Sequence, residues 1–490
     1  MSSIPFDNSF ARLPDTFFSR QAPVPVASPR LIARNADLAR QLGIDPDWLA
    51  SREGVEVVAG NAVPEGAEPL ASVYAGHQFG SYNPQLGDGR AILLGEVVDA
   101  NGDRYDIQLK GAGRTPYSRG GDGRSPLGPV LREYIISEAM HVLGIPTTRA
   151  LAAVSTGEQV VREEFLPGAV LARVASSHIR IGTFQYFAAH GDTESLKLLT
   201  RHVLVRHYPE ELTQDNQALA LLRAVMERQA SLVAGWQLLG FIHGVMNTDN
   251  MLLSGETIDY GPCAFMDDFK ADQVFSSIDH GGRYAYRNQP GIAHWNLACL
   301  AQCLLPLLHD DKDEAVAIAQ DQVDRFQQMF LDAHGVGMAR KLGLSELTAD
   351  DTALVEDLFH TMGEHGLDFT LVFRRLADLA DENSKAQVGE LFEIPDALLP
   401  WLARWRSRIG QETILPEERQ SHMYRANPVF IPRNHLVQEA IETATREDDL
   451  TLFHSLNEVL RNPFEYRPEL RRFATPPRPE QEVRQTFCGT

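Results

Sequence analysis

The chain has 490 residues with a formal net charge of −21, of which 43% are apolar and 23% charged. This composition is typical of a soluble globular protein of two or three packed units, and the acidic balance argues against a general nucleic-acid binder. Four cysteines are too few for a disulfide framework. The first residues lack a secretory pattern and no apolar run is long enough to cross a bilayer, so we expect a cytoplasmic protein with neither nucleic-acid nor membrane partners.

The first part of the chain predicts little regular structure except a helical pattern over residues 31–42. Residues 74–91 are then rich in glycine and other turn-forming residues. Two strands follow, Ala91–Val98 and Arg104–Leu109, joined by Asn101-Gly102. Asn-Gly between two such runs is a strong signal for a β-hairpin.

A helix is predicted from Pro129 to Leu143, because Pro suits the first turn and Gly144 suits the residue after the end. Two further β runs extend to about residue 165, and the pattern beyond them is mainly helical. Long helices are predicted over Asn216–Leu239 and Ile292–Leu308. The last third predicts more helices, and the tail from Thr475, rich in Pro, Arg and Glu, is expected to be mobile.

The stretch from His243 to Gly261 combines polar and apolar residues in an order that points to chemistry. Asn250 closes a polar loop and a short apolar run, Met251-Leu252-Leu253, follows it. After Ser254-Gly255 a second run, Glu256-Thr257-Ile258, leads to Asp259. A two-residue turn at Ser254-Gly255 would place Asn250 opposite Asp259, with Cβ atoms about 4.5–5.5 Å apart. An amide oxygen and a carboxylate at that spacing suit one Mg²⁺ that also binds substrate phosphates, so both are predicted metal ligands.

The alternative for this stretch is ordinary turn chemistry, which is the commoner role of Asn and Asp before a hairpin. However, the order of His-Gly, Asp-Asn, apolar run and D-x-G follows that of the kinase catalytic loop and D-F-G segment. Val245 stands where a kinase has its catalytic Asp, and Asp249 lies nearby as a substitute base.

Lys110 and Glu133 have the order of the kinase Lys–Glu ion pair, since Lys110 ends a predicted strand and Glu133 lies in the first turn of the next predicted helix. Each residue also has a structural alternative, a solvated strand end for Lys110 and a favourable helix-terminal acid for Glu133. Arg173 and Arg180, in what reads as a helical segment, would add two cations near a triphosphate.

Two glycine-containing loops are weaker candidates for phosphate contacts, because Gly-rich turns are common. Gly87, Gly89 and Arg90 precede a predicted strand, where bare backbone can approach a phosphate. Asp122 and Gly123 form a similar loop.

Six blocks of the chain resemble the selenoprotein O (SelO/YdiU-type) protein adenylyltransferases. They are YAGHQFGSYNPQLGDGRA (74–91), QLKGAGRTPYSRGGDGRS (108–125), LREYIISEAMHVLGIPTTRAL (131–151), HGVMNTDNM (243–251), DYGPCAFMD (259–267) and NPVFIPRNH (427–435). The resemblance implies an α+β, protein-kinase-like bilobal fold with a helical C-terminal extension. The implied units are an N-terminal segment, a β-rich N-lobe, a helical C-lobe with the catalytic loop and activation segment, and the extension: 1–70, 71–165, 166–330 and 331–490.

The same resemblance implies that ATP binds in a flipped orientation and that AMP is transferred to Ser, Thr or Tyr hydroxyls of proteins, including the enzyme itself. It implies Mg²⁺ or Mn²⁺ as cofactor and ATP, or alternatively UTP, as nucleotide. Asp249 matches the family's base, Asn250 and Asp259 its metal ligands, and Lys110 and Glu133 its ion pair. The residues that match its nucleotide contacts are Gly87, Gly89, Arg90, Asp122, Gly123, Arg173 and Arg180.

Spacing alone does not distinguish AMP transfer from kinase-type phosphoryl transfer, or from a non-catalytic pseudokinase that binds nucleotide as a scaffold. The resemblance also raises redox regulation, since some members pair a C-terminal Cys or selenocysteine with a Cys in the activation segment. Here Cys488 lies near the end, Phe275 stands at the place of the partner, and Cys263 lies in the same segment. A redox pairing therefore stays open.

Overall fold

The computed structural model describes residues 4–381 and 387–487, and its architecture is mixed α/β with an antiparallel sheet and many helices. The strands are β1 (Phe18–Arg20), β2 (Arg30–Arg34), β3 (Leu70–Ser72), β4 (Gly76–Gln78), β5 (Ser81–Asn83), β6 (Ala91–Val98), β7 (Arg104–Lys110), β8 (Ser125–Pro126), β9 (Arg149–Val161), β10 (Phe165–Ala175), β11 (Phe241–Ile242) and β12 (Ala264–Phe265).

The helices are α1 (Ala36–Gln41), α2 (Pro46–Leu49), α3 (Arg52–Val58), α4 (Leu127–Val142), α5 (Ile181–Ala189), α6 (Thr193–His207), α7 (Gln217–Leu239), α8 (Gln289–Leu308), α9 (Lys312–Val323), α10 (Phe326–Leu342), α11 (Thr352–His365), α12 (Phe369–Asp378), α13 (Leu399–Ile409), α14 (Pro416–Ala426), α15 (Asn434–Glu447), α16 (Thr451–Leu460) and α17 (Arg471–Ala474).

The large sheet has the strand order β1-β3-β6-β7-β10-β9-β2, with β8 also paired to β10. In the β6–β7 hairpin Ala91 lies opposite Lys110, and across β7 and β10 Gln108 lies opposite Arg173. Directly opposed residues share a face of a sheet, as do residues two apart on one strand. The side chains of Gln108, Lys110 and Arg173 therefore project from the same face.

Helices cover both faces of this sheet, which explains why β6 reads as an almost uninterrupted apolar run. On one face the short helices α1–α3 pack on β6, β7 and β10, with Leu38, Ile92 and Leu109 buried together. On the other face α4 packs between β10 and the C-terminal helices α15 and α16, where Leu131 and Phe453 are buried. Helix α4 is thus fixed from both sides, and with it the position of Glu133.

The elements with clear local signals are confirmed. The predicted strand Ala91–Val98 matches β6, and Lys110 is the last residue of β7. Helix α4 begins two residues before the predicted start, so Glu133 lies in its second turn and not, as predicted, in its first. Helix α7 begins after Asn216, whose side chain accepts a hydrogen bond from Leu219 N at 3.0 Å.

Two predictions about the elements are wrong. Residues 31–42 are not one helix, because β2 occupies the first part and α1 begins only after the N-cap Asn35. The β region also does not stop near residue 165, because β10 continues to Ala175. Arg173 therefore lies on a central strand and not in a helical segment.

Two further features concern helix α8 and the tail. The prediction that no apolar run is long enough to cross a membrane is wrong by length and composition, because in the described ranges one helical stretch, Tyr286–Leu308, is long and apolar enough. Half of its most apolar part is buried in the protein, as in a core helix. The expected mobility of the tail is wrong at Thr486, which is buried. Its N–H donates to Phe275 O at 2.7 Å and its hydroxyl donates to Pro262 O at 2.6 Å. Cys488 lies outside the described residues.

Candidate active site

A cleft of about 480 Å³ opens between the large sheet and the loop that follows α7. All the residues predicted to contact nucleotide or metal, or to act as base, line it: Gly87, Gly89, Arg90, Lys110, Asp122, Gly123, Glu133, Arg173, Arg180, Asp249, Asn250 and Asp259. Val245, at the place of the kinase catalytic Asp, lines it as well. The fold thus brings together residues that are far apart in the sequence, although their roles stay predictions.

The loop that carries Asp249 and Asn250 differs from the predicted hairpin. Thr248–Asn250 forms a 3-10 turn. Met251 pairs with Thr257, so five residues separate the paired positions, and within them Gly255 N donates to Leu252 O at 3.1 Å and closes a β-turn. The predicted register is therefore wrong by one residue, and Asn250 does not lie directly opposite Asp259. Asp259 has left-handed backbone, with φ of 64°, a conformation that Asp tolerates better than most residues.

Three cations surround the carboxylate of Asp259. Lys110 Nζ lies 2.8 Å from Oδ1, Arg173 Nη1 lies 3.0 Å from the same oxygen, and Arg180 Nη1 lies 3.2 Å from Oδ2. Glu133 connects two of these cations, with Oε2 at 2.5 Å from Lys110 Nζ and Oε1 at 3.1 Å from Arg173 Nη1. The predicted Lys110–Glu133 contact is therefore present in the folded chain.

Two polar residues that the sequence did not single out hold Arg173 in place. Gln108 Oε1 accepts hydrogen bonds from Arg173 Nε and Nη2 at 3.2 and 2.6 Å, and Gln108 Nε2 donates to Asp88 Oδ2 at 3.3 Å. Asp88 also lies 3.8 Å from Arg180. The position of Gln108 two residues before Lys110 on a strand is the signal that points to this shared face.

The cluster changes the acidity of its carboxylates. Burial by itself raises the pKa of Asp259, but Lys110, Arg173 and Arg180 outweigh it and hold the pKa well below the ordinary value. Burial likewise opposes the ionisation of Glu133, and Lys110 and Arg173 lower its pKa. Both groups are therefore ionised at neutral pH, and the three cations are held in a fixed arrangement without any ligand.

Asp249 lies in a different environment. It is 7% exposed, and burial raises its pKa from 3.8 to about 6, although Arg180 and a hydrogen bond from Gln78 act in the opposite direction. Gln78 Nε2 donates to Oδ2 at 3.1 Å. The other oxygen, Oδ1, is buried and accepts no hydrogen bond from the described part of the chain. Such a carboxylate is more basic than usual and has spare acceptor capacity.

The glycine-containing loops at the cleft have packing roles of their own. A Cβ on Gly87 would lie 2.3 Å from the ring of Tyr117, and one on Gly89 would lie 2.9 Å from Tyr117 O. Asp122 forms an ion pair with Arg162 at 2.9 Å. The close approach of Tyr117 alone explains why these two positions are glycine, whether or not phosphates also bind there.

The donor chemistry around Asn250 suits a hard cation that also binds phosphates. Asn250 Nδ2 donates to Val245 O at 3.0 Å, so its amide oxygen is the atom left to coordinate an ion, and Asp259 supplies carboxylate oxygens on the same cleft. Within residues 4–381 and 387–487, no group of three or more His, Cys, Asp or Glu side chains is arranged to hold a metal. An ion at this cleft would therefore depend on phosphate oxygens for much of its coordination.

The chain was compared with known proteins. Residues 1–461 match the family described as protein adenylyltransferase SelO. A protein nucleotidyltransferase YdiU of Rhodopseudomonas palustris (strain BisB5) is 58% identical over 487 residues, which cover 99% of each chain. A protein of the same name from Bradyrhizobium sp. (strain BTAi1) is 58% identical over 486 residues, which cover 99% of each chain. Another, from Rhizobium rhizogenes (strain K84), is 57% identical over 488 residues, which cover 99% of this chain and 97% of the relative. The chain therefore belongs to the SelO/YdiU family of protein nucleotidyltransferases and is an enzyme.

Proposed function

We propose that the enzyme transfers AMP from ATP to Ser, Thr or Tyr hydroxyls of proteins and releases pyrophosphate. The family description as a protein adenylyltransferase supports this reaction. The observation that carries the proposal is the convergence of Lys110, Arg173 and Arg180 on Asp259, in the cleft that Asp249 also lines. Cations that are fixed before the nucleotide arrives suit a triphosphate and stabilise a leaving pyrophosphate.

In the proposed reaction the acceptor hydroxyl oxygen forms a bond to the α-phosphorus of ATP. The bond from that phosphorus to the oxygen bridging the α- and β-phosphates breaks, and its electron pair leaves with pyrophosphate. The hydroxyl proton passes to Asp249, whose burial makes it more basic than an ordinary carboxylate. Lys110, Arg173 and Arg180 offset the charge of the pyrophosphate, and the same mechanism would serve UTP.

Asn250 and Asp259 are the residues that would hold Mg²⁺ or Mn²⁺. Bound there, the ion would supply further positive charge to the triphosphate. In the absence of the ion Asp259 is already ionised, because the neighbouring cations lower its pKa. Its carboxylate therefore needs no deprotonation before it can coordinate a cation.

We also propose that the architecture is a protein-kinase-like pair of lobes with a helical extension. The predicted boundary at residue 165 moves to the end of β10, which pairs with β7 and β9 in the large sheet, so the proposed units are 1–70, 71–175, 176–330 and 331–490. The order of strands before helices supports this division. So does the contact between Lys110 at the end of β7 and Glu133 in α4, which is the order of the kinase ion pair.

Kinase-type transfer of the γ-phosphoryl group is the second candidate, and the 2.5 Å contact of Lys110 with Glu133 favours it. Val245 disfavours it, because a valine cannot accept the proton that the kinase catalytic Asp takes. A pseudokinase that binds nucleotide without transfer is the third candidate.

Labelled ATP distinguishes these reactions. The enzyme is incubated with protein acceptors, Mg²⁺ or Mn²⁺, and ATP labelled at either the α- or the γ-phosphate. Protein-bound label from α-labelled ATP alone is expected, and Asp259→Ala should lose it while Asp272→Ala, an exposed residue of the following segment, should not. Label from the γ-position would identify a kinase, and equal α-label with wild type and Asp259→Ala would refute the proposed site.

A further inference from the structure

The β4–β5 hairpin contacts the loop that carries Asp249 at three consecutive positions. His77 N donates to Thr248 Oγ1 at 2.7 Å, and Phe79 N donates to Asn247 Oδ1 at 3.1 Å. Between them, Gln78 Nε2 donates to Asp249 Oδ2 at 3.1 Å. Residues 77–79 therefore contact residues 247–249 through one side-chain and two backbone donors.

The geometry of the hairpin makes this arrangement stiff. Gln78 pairs with Ser81 across a two-residue turn, Phe79-Gly80, in which both residues have positive φ, of 50° and 82°. That is the turn whose twist matches paired antiparallel strands. Strand β4 also lies close to Asp249, because a Cβ on Gly76 would lie 2.8 Å from Asp249 Oδ1.

Further hydrogen bonds hold the loop side of the contact. Thr248 Oγ1 donates to Gln185 Oε1 at 2.6 Å, and the Gln185 amide nitrogen lies 2.8 Å from His77 Nδ1. Asn247 Oδ1 also accepts a hydrogen bond from the Tyr284 hydroxyl at 2.6 Å. With both neighbours held through other partners, Gln78 is the one described side chain that donates to the Asp249 carboxylate.

We propose that Gln78 is a positioning residue, whose amide fixes the orientation of the Asp249 carboxylate toward the incoming hydroxyl. This inference rests on the proposed role of Asp249 as base. A carboxylate bound at one oxygen by a donor on a rigid hairpin keeps one rotamer, and proton transfer requires the base to be within hydrogen-bond reach of the hydroxyl. Gln78 itself takes no proton and forms no bond to the nucleotide in this account.

The first test separates catalysis from binding. Gln78→Leu is expected to lower kcat for transfer from α-labelled ATP by roughly tenfold, while KM for ATP stays within about twofold, because a charge-assisted hydrogen bond lost only at the base changes the chemical step. Gln78→Glu, which keeps the shape of the side chain but removes the donor, should lower kcat by as much. Gln78→Lys, which keeps a donor, should recover part of the rate. Gln85→Leu, the same change at an exposed position beyond the hairpin, is the matched control.

A double-mutant comparison tests whether Gln78 acts through Asp249. In an Asp249→Asn background, Gln78→Leu should cause no further loss of kcat. The melting temperatures give a readout that needs no activity. Gln78→Leu should lower the melting temperature more when residue 249 is Asp than when it is Asn, since a buried charged carboxylate loses more than a neutral amide oxygen when its donor is removed.

The outcomes are distinct. The role of Gln78 would be overturned if Gln78→Leu kept the wild-type kcat. It would also be overturned if Gln78→Leu caused the same loss of kcat, or the same drop of melting temperature, with Asp and with Asn at position 249. If wild type transfers no α-label to any acceptor, the proposed function fails, and the melting comparison alone decides whether the two side chains are coupled.

Discussion

Replacing Arg173 with Met removes the most buried cation of the cleft while keeping an apolar chain of similar length. Arg173 is 2% exposed, and its guanidinium contacts Glu133 at 3.1 Å, Asp259 at 3.0 Å and Gln108 at 2.6 Å. After the substitution, Gln108 Oε1 loses its donors inside the protein. Glu133 keeps only Lys110 from this cluster, and Asp259 keeps Lys110 and Arg180.

The loss of folding free energy in Arg173→Met follows from the charged and polar groups that stay buried without their partner. Removing one partner of a buried ion pair typically destabilises a protein by about 3–5 kcal/mol, because the other charge stays desolvated and uncompensated. The two remaining cations reduce that cost at Asp259, whereas the orphaned oxygen of Gln108 adds to it. We therefore expect the free energy of unfolding to fall by about 3–4 kcal/mol.

Urea unfolding at neutral pH without nucleotide measures this change. Arg287→Met is the matched control, because Arg287 also pairs with a carboxylate, Asp272 at 2.9 Å, but both side chains are more than half exposed. Such surface pairs contribute about 0–1 kcal/mol. ATP should also stabilise Arg173→Met less than it stabilises the wild type. A loss for Arg173→Met no larger than that for Arg287→Met would refute the description of this cluster.

Three other predictions concern the base and the tail. Asp249→Asn should lower the transfer rate by roughly 10²–10⁴-fold, the usual contribution of a general base. It should also raise the free energy of unfolding of the metal- and nucleotide-free protein at pH 8 by about 2–3 kcal/mol, because a folded pKa of about 6 against 3.8 makes ionisation of Asp249 costly. The gain should vanish below pH 4, and an equal gain at both pH values in thermal melts would contradict it. The kcat/KM of the wild type for ATP should rise with pH through about 6 as Asp249 of the free enzyme ionises, so a flat kcat/KM from pH 5 to 8 would contradict the role of Asp249 as the base. Thr486→Ala should speed proteolysis within residues 262–277 roughly fivefold, because it removes the hydrogen bond to Pro262 O. Phe487→Ala, a change at the exposed neighbouring residue, should leave the rate of proteolysis unchanged. Equal rates for the two variants would show that Thr486 does not hold this segment.

Local sequence signals were sufficient to predict several elements of the fold. The β6–β7 hairpin follows from the strand patterns of Ala91–Val98 and Arg104–Leu109 on either side of Asn101-Gly102, and α7 follows from an amphipathic stretch with Asn216 as its cap. The helix predicted over residues 31–42 failed because apolar residues at helical spacing belong to two elements, β2 and α1. Strand β10 was missed beyond residue 165, since its position is set by pairing with β7 and β9, which are distant in sequence.

The candidate site shows the same division between local and long-range information. Lys110, Asp249 and Asp259 stand out through their order in the chain and through the family resemblance. Gln78 and Gln108 do not, because an amide gains a role only when folding brings it to a particular carboxylate or guanidinium. The register around Ser254 was wrong because five residues, and not two, separate the paired positions Met251 and Thr257, which the Ser-Gly pair did not reveal.

The central claim is that the cleft directs an acceptor hydroxyl to the α-phosphorus of ATP. Intact-mass analysis of the acceptor proteins, combined with chromatography of the released nucleotide products, tests this claim most directly. We expect acceptors that are heavier by one adenylyl group and an equal amount of pyrophosphate, with both products reduced to a residual level in Asp249→Asn. Acceptors heavier by one phosphoryl group, with ADP as the released product, would contradict it.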